Sequence, residues 1–119
     1  MRTIIFGKTV IHNIEKFPDG MKYPYGDIQE LESYDLERIP RDVDECWYWY
    51  ATAPYEGSGY MFMRKDNLYA IESLGHCSCY GPLERMGTID WKDLEKIELT
   101  EGLNLEVKAL IELARLEGV

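Results

Sequence analysis

Residues 46–74 read CWYWYATAPYEGSGYMFMRKDNLYAIESL, and this stretch decides the fold class. Residues 46–52 are rich in aromatic side chains, which favour the pleated surface of a β-strand. Residues 60–65 predict a second strand, Asp66-Asn67 predicts a tight turn, and residues 68–74 predict the returning strand. Because strands that follow one another through short connections pair in sequence, we predict a three-stranded antiparallel meander.

The connection between the first two of these strands is short and rich in turn residues. Residues 53–59, APYEGSG, predict a turn or a short loop. The run Gly57-Ser58-Gly59 also invites comparison with a phosphate-binding loop. Such loops present backbone amides at the start of a helix, and a lysine normally follows them. Since strand-like segments flank the glycines here, a hairpin turn is the prediction.

The segments on either side of the meander complete the predicted fold. Residues 3–6 and 9–12 predict two short strands that can extend the sheet. Further along, Asp90 can cap one helix and Asn104 can cap another. In the second helix apolar residues recur at i, i+3, i+4 and i+7, which are Val107, Leu110, Ile111 and Ala114. We therefore predict a single α+β domain over residues 1–119, with the meander packed against C-terminal helices.

The charge of the chain narrows the classes of function. Its 119 residues carry 22 acidic and 13 basic side chains, a net charge of −9. Affinity for nucleic acid comes largely from lysine and arginine, so we expect no direct nucleic-acid binding. No apolar run approaches the roughly 20 residues of a membrane-spanning helix, and the N-terminal residues lack the apolar region of a secretion signal. We therefore expect a cytoplasmic protein that does not bind membranes.

Acidic residues cluster between positions 27 and 45. This run contains eight carboxylates, and only Arg38 and Arg41 oppose them. A negative surface is steered toward basic surfaces, including those with which other proteins hold nucleic acid. The predicted partner-binding carboxylates are Glu30, Glu32, Asp42 and Asp44. Two alternatives stay open: a solvated face that only keeps the protein soluble, and carboxylates that imitate a nucleic-acid backbone.

The aromatic strand offers a second kind of contact surface. Trp47 and Trp49 share one strand face, and Tyr48 and Tyr50 share the other, so that if one pair lies in the core the other lies at or near the surface. Exposed tyrosine and tryptophan are enriched at protein interfaces. The predicted partner-binding set therefore also contains Trp47, Trp49, Tyr55 and Glu56. In the alternative interpretation, the aromatic side chains fill the core and cover both faces of the sheet.

The segment Gly75-His76-Cys77-Ser78-Cys79 raises the question of metal or thiol chemistry. Thiolate and imidazole are preferred zinc ligands, and Cys77 and Cys79 point the same way on an extended segment. Cys46 or His12 would then complete a zinc site from elsewhere in the fold. A structural zinc site usually shows two ligand pairs and this chain shows one, so buried thiols beneath the sheet are the competing interpretation. We assign no metal, no cofactor and no catalytic residue.

Three segments in the middle of the chain resemble, in the same order, a pattern in small uncharacterised bacteriophage proteins. They are residues 47–50 (WYWY), 55–59 (YEGSG) and 75–84 (GHCSCYGPLE). In those proteins a hairpin of similar length also leads to a His-Cys-Ser-Cys run. The resemblance implies a phage origin and carries no activity. Small acidic phage proteins are often inhibitors of host defence, including CRISPR systems, so it also implies action in the cytoplasm of an infected bacterium.

These observations predict a small acidic binding protein, rather than an enzyme, that inhibits a host protein by occupying a basic or nucleic-acid-binding surface. A homodimer is compatible with this role, since small oligomers are common. Two alternatives stay open. One is a small zinc-binding interaction domain built on His76, Cys77 and Cys79, and the other is a thiol-dependent or ligand-sequestering protein.

Overall fold

The computed structural model of the chain describes residues 2–14, 27–28, 30–53, 56–74, 76–77, 89–101 and 104–116. In these residues the strands are β1 (Arg2–Phe6), β2 (Thr9–Asn13), β3 (Asp27–Ile28), β4 (Glu45–Ala53), β5 (Glu56–Lys65), β6 (Leu68–Ser73) and β7 (His76–Cys77). The helices are α1 (Ser33–Leu36), α2 (Leu94–Glu101) and α3 (Leu105–Leu116).

The strands form one mixed sheet whose main path runs β1-β2-β4-β5-β6. Two short strands lie off this path. The two-residue strand β3 pairs with the end of β4, and the two-residue strand β7 pairs with the start of β5. Strands β4, β5 and β6 are antiparallel neighbours, and β1 and β2 form an antiparallel hairpin. The hairpin joins the rest of the sheet through a parallel pairing of β2 with β4. The long connection between these two strands permits that pairing, because parallel neighbours need a crossover of a dozen or more residues.

The α+β class is confirmed, with a larger sheet than the sequence predicted. The expected meander corresponds to β4, β5 and β6, but it is part of a sheet with a five-strand main path and one parallel pair. The N-terminal strands extend the sheet as a hairpin beside β4. Helices α2 and α3 follow the strands in the chain and pack on β4, β5 and β6.

Strand β4 is buried on both of its faces. On one face Trp47 and Trp49 pack with Phe62 and the helices, in a core cluster that includes Ile97 and Leu110. On the other face Tyr48 and Tyr50, 3% and 6% exposed, pack beneath a second set of apolar residues. That set comes from residues 30–43 and consists of Leu31, Leu36, Ile39 and Val43. The prediction that one aromatic pair lies at the surface is therefore wrong, because two separate covering layers enclose the strand.

The glycine-rich stretch before Tyr60 lies in a strand. Strand β5 begins at Glu56, and Gly57, Ser58 and Gly59 pair with Thr52, Ala51 and Tyr50 of β4. The predicted hairpin turn at Gly57–Gly59 is therefore wrong. At Gly59 a side chain would overlap the backbone carbonyl oxygen of Trp49, so the strands approach too closely for a β-carbon. Glycine suits this position because it has no β-carbon.

The C-terminal helices agree in part with the starts and the buried face that the sequence predicts. Helix α2 begins at Leu94, later than the Asp90 cap predicts, because Lys92 first forms an isolated β-bridge with Tyr69. Asn104 caps α3 as predicted, since its Oδ1 accepts the Val107 N–H at 3.2 Å. The four apolar residues of the predicted stripe, Val107, Leu110, Ile111 and Ala114, are all buried. Among the described residues, no helix has the length and apolar character needed to cross a membrane.

Candidate functional site

Residues 30–43 form a covering layer whose two sides differ sharply. Their apolar side chains are buried against the sheet, and most of the carboxylates at intervening positions are exposed. Glu30, Glu32 and Glu37 are all exposed in this way. We refer to these three carboxylates as the acidic surface. Arg38 and Arg41 are exposed in the same layer, and the Arg41 guanidinium lies over the Phe6 ring, 5.5 Å from its centroid.

The C-terminal end of the acidic run is paired within the molecule. Asp42 contacts Lys65 at 3.5 Å. Asp44 contacts Lys8 at 3.1 Å and Arg64 at 3.6 Å. The backbone N–H of Asp66 donates to Asp44 at 2.8 Å, and that hydrogen bond, with the Lys8 ammonium, lowers the pKa of the Asp44 carboxyl.

The four predicted partner-binding carboxylates lie in two different parts of the acidic run. Glu30 and Glu32 belong to the acidic surface, whereas Asp42 forms an ion pair with β5, and Asp44 forms ion pairs with β5 and with the β1–β2 turn. Asp35, from the same acidic run, is 2% exposed and takes no part in the surface. Glu37 was not among the predicted residues, although it belongs to the same run in the sequence.

The structure corrects the contact role predicted for Trp47 and Trp49. Both indoles are 0% exposed, because α2 and α3 cover their face of the sheet. Glu56 lies at the first position of β5, and only its backbone is described. Tyr55 lies outside the described residues. The aromatic residues of β4 therefore serve the core, as the alternative interpretation of the sequence has it.

The predicted zinc ligands are not brought together within the described residues. Ile11 pairs with Cys46 and His12 with Trp47, so His12 and Cys46 lie on opposite faces of the sheet. They cannot both belong to one site, and the zinc hypothesis needs only one of the two. Burial raises the pKa of the Cys46 thiol far above its usual range, so this cysteine stays a thiol.

The remaining candidates of the His-Cys-Ser-Cys segment are only partly described. His76 and Cys77 form β7, whose backbone pairs with Gly57 and Glu56 of β5. Cys79 lies outside the described residues. Among the side chains that the structure describes, no group of three or more histidine, cysteine, aspartate or glutamate residues is arranged to hold a metal ion. Zinc binding by this segment stays a prediction.

A row of hydrogen-bonded polar side chains crosses the sheet from β1 to β5. The Thr3 hydroxyl oxygen lies 2.8 Å from His12 Nδ1. On the other side of the ring, His12 Nε2 lies 2.7 Å from Glu45 Oε2. The second carboxylate oxygen, Glu45 Oε1, accepts a hydrogen bond from Arg64 Nη2 at 3.3 Å. The sequence analysis missed this arrangement, although a Gly7–Lys8 turn places Thr3 opposite His12 and could have predicted half of it.

The two hydrogen bonds of His12 determine which ring nitrogen carries the proton. An ionised carboxylate can only accept, so Nε2 donates to Glu45. In the neutral ring Nδ1 then has the free lone pair and accepts the Thr3 hydroxyl proton. The ring is further held by stacking on Trp47, with centroids 5.4 Å apart and planes inclined by 18°. The order hydroxyl, imidazole, carboxylate is the arrangement that activates a nucleophile in many hydrolases.

A cleft of about 200 Å³ lies between α2 and α3 and has a different character. It is lined by Glu98, Lys108, Ile111, Glu112 and Arg115. Four of these five side chains are charged, the two signs balance, and Arg115 pairs with Glu98. Ligand pockets are mostly apolar with a few polar groups, so we assign no ligand to this cleft.

Comparisons with protein families, with curated proteins and with solved structures find no match to this chain.

Proposed function

We propose that the chain is a small acidic binding protein, encoded by a phage, that inhibits a host protein by occupying a basic or nucleic-acid-binding surface. The target would be a component of a CRISPR system or of another anti-phage defence. The protein would act in the cytoplasm of the infected bacterium, without contacting nucleic acid or membrane itself.

The observation that carries this proposal is the uneven distribution of charge. Residues 27–45 hold eight acidic and two basic side chains, so they contribute −6 of the net charge of −9. Within this run the acidic surface stands on a layer that is held to the sheet by Leu31, Leu36 and Ile39, which are at most 7% exposed. A concentrated negative surface attracts a partner that carries lysine and arginine, and it repels nucleic acid.

The proposed mode of binding assigns a role to each part of the layer. The acidic surface would meet basic side chains that otherwise hold phosphate groups. Contacts of this kind act mainly on the association rate, and they weaken as salt screens the charges. Asp42 and Asp44, which already pair with cations of the same molecule, would contribute less binding energy.

A plating experiment with two matched variants tests the proposal. One variant reverses the acidic surface (Glu30→Lys, Glu32→Lys, Glu37→Lys). The other reverses three exposed acids at or on the C-terminal helices (Asp93→Lys, Glu95→Lys, Glu112→Lys). Each reversal adds two positive charges, so both variants change the net charge from −9 to −3. Each protein is expressed in a bacterium that carries a defined defence system, and the plating efficiency of a sensitive phage is counted.

We expect the wild-type protein to raise the plating efficiency and the acidic-surface variant to lose this effect. The helical control should keep it, because its charge change is the same in size but lies elsewhere. Thermal unfolding of the three purified proteins checks that all are folded. If both folded variants protect the phage as well as the wild type does, the acidic surface is not the contact site.

A further inference from the structure

We propose that Thr3 is a nucleophile that accepts an acyl group from carboxylic esters, with His12 as its general base and Glu45 as the residue that positions the imidazole. This activity is independent of the acidic surface, which lies on the opposite face of the sheet.

The three side chains are connected through hydrogen bonds in the order that activates a hydroxyl. A hydroxyl becomes a useful nucleophile when a base within hydrogen-bond reach removes its proton and a third group orients that base. Thr3, His12 and Glu45 meet these conditions with contacts of 2.8 Å and 2.7 Å. The Arg64 guanidinium in turn binds the distal oxygen of Glu45 and fixes the carboxylate.

The hydroxyl and the imidazole differ in their exposure to solvent. Thr3 lies on β1, at the end of the strand order, and is exposed to solvent. The His12 side chain is only 7% exposed and is stacked on Trp47. A reagent can therefore reach the hydroxyl, while the base behind it is shielded and held in one orientation.

The surface next to the hydroxyl indicates the class of ester. Residues at alternate positions of a strand share a face, so Ile5 lies beside Thr3. Its side chain is 75% exposed, and its cross-strand neighbour Val10 is partly exposed. An apolar acyl group would cover these side chains when its carbonyl carbon meets the Thr3 oxygen. Esters with small apolar acyl groups are therefore the expected substrates.

The transfer is a simple exchange of one ester for another. The Thr3 oxygen attacks the carbonyl carbon, and its proton passes to Nδ1 of His12. The tetrahedral intermediate then collapses, and the bond between the carbonyl carbon and the leaving oxygen breaks. The leaving alcohol takes the proton from His12, or leaves as an anion while the proton goes to solvent. The products are an O-acyl threonine and the free alcohol, and no oxidant or further reactant is needed.

The chain contains an internal control for this chemistry. Thr100 is also exposed, but its hydroxyl donates to the backbone carbonyl of Lys96 at 2.8 Å. It therefore has the same chemical group and similar access, without an imidazole as its partner. Any difference in acylation between Thr3 and Thr100 reports on the base, since both sites belong to the same folded protein.

The experiment treats the native full-length chain with p-nitrophenyl acetate and follows acetylation of the peptides that contain Thr3 and Thr100 by mass spectrometry. Acetylation of lysines measures exposure to the reagent. We expect Thr3 to react at least about a hundredfold faster than Thr100, the lower end of the range for general-base catalysis. Thr3→Ser should keep the adduct and Thr3→Val should lose it. Equal rates at Thr3 and Thr100 in the wild-type protein would overturn the proposal without any variant.

Nitrogen-15 NMR of the His12 ring tests the positioning role of Glu45. The wild-type ring should carry its proton on Nε2. In Glu45→Gln the amide can donate to Nε2, which moves part of the population to the Nδ1–H form and lowers the Thr3 acetylation rate. A loss of stability alone would not change the tautomer. An Nδ1–H ring in the wild type, or an unchanged tautomer and rate in Glu45→Gln, would exclude this role.

Discussion

Gly59 lies where the backbones of β4 and β5 leave no room for a β-carbon. It pairs with Tyr50, its carbonyl accepts the Leu74 N–H at 2.8 Å, and a β-carbon at this position would overlap the carbonyl oxygen of Trp49. Because the obstacle is backbone, Gly59→Ala must push β4 and β5 apart. We expect it to lower the free energy of unfolding by about 3 kcal/mol, at the upper end of overpacking costs. Urea denaturation measures this.

Gly7 supplies the control for that substitution. Its φ of 65° requires a left-handed conformation, but the nearest atom to an added β-carbon is 3.8 Å away. Asparagine tolerates this conformation, so Gly7→Asn should cost less than about 1 kcal/mol. Similar costs for Gly59→Ala and Gly7→Asn would contradict the close approach of the two strands.

Cys46 links stability to pH through its buried thiol. Burial raises its pKa above the ordinary value of 9.0, so the unfolded chain ionises first as the pH rises. The folded state then binds more protons than the unfolded state, and stability is lost above about pH 9, by up to about 1.4 kcal/mol per pH unit. In Cys46→Ala this contribution is absent. Urea denaturation at several pH values should therefore show the stability difference between wild type and Cys46→Ala falling as pH rises, whereas a constant difference would contradict it.

At the scale of elements, α3 shows how one helix divides its residues between core and solvent. Leu110 is 0% exposed against the sheet, and Leu116 on the same helix is 82% exposed. Leu110→Ala should lower the free energy of unfolding by about 2–5 kcal/mol, the usual cost of emptying a leucine site. Leu116→Ala should change it by less than about 0.5 kcal/mol. Equal urea midpoints for these two variants would show that α3 does not pack on the sheet through its predicted face.

Elements whose signals are local were predictable from the sequence. The apolar spacing and the Asn104 cap of α3 lie within one segment, and so do the strands and turn of the β5–β6 hairpin. The parallel pairing of β2 with β4 was not predictable, because no local signal in the sequence connects these two strands. The burial of both faces of β4 was left as one of two alternatives, since an aromatic strand does not reveal how many layers will cover it.

At the scale of the whole molecule, the fold decides which carboxylates stay at the surface. Counting residues located the acidic run, but the cations that pair with its end come from other elements. Lys8 comes from the β1–β2 turn, and Arg64 and Lys65 come from the end of β5. The row of hydrogen bonds from Thr3 to Glu45 was also not predictable from the sequence. It requires both the β1–β2 register and the parallel pairing of β2 with β4.

The most direct test of the proposed function is affinity capture from a lysate of a bacterium that carries an anti-phage defence system. The wild-type protein, the acidic-surface variant and the helical control are each immobilised, and the retained proteins are quantified by mass spectrometry. The account predicts a basic protein retained by the wild type and the control, at least about tenfold depleted from the acidic-surface variant, and released as salt is raised. Equal retention by all three folded proteins, or no protein retained by the wild type, would contradict it.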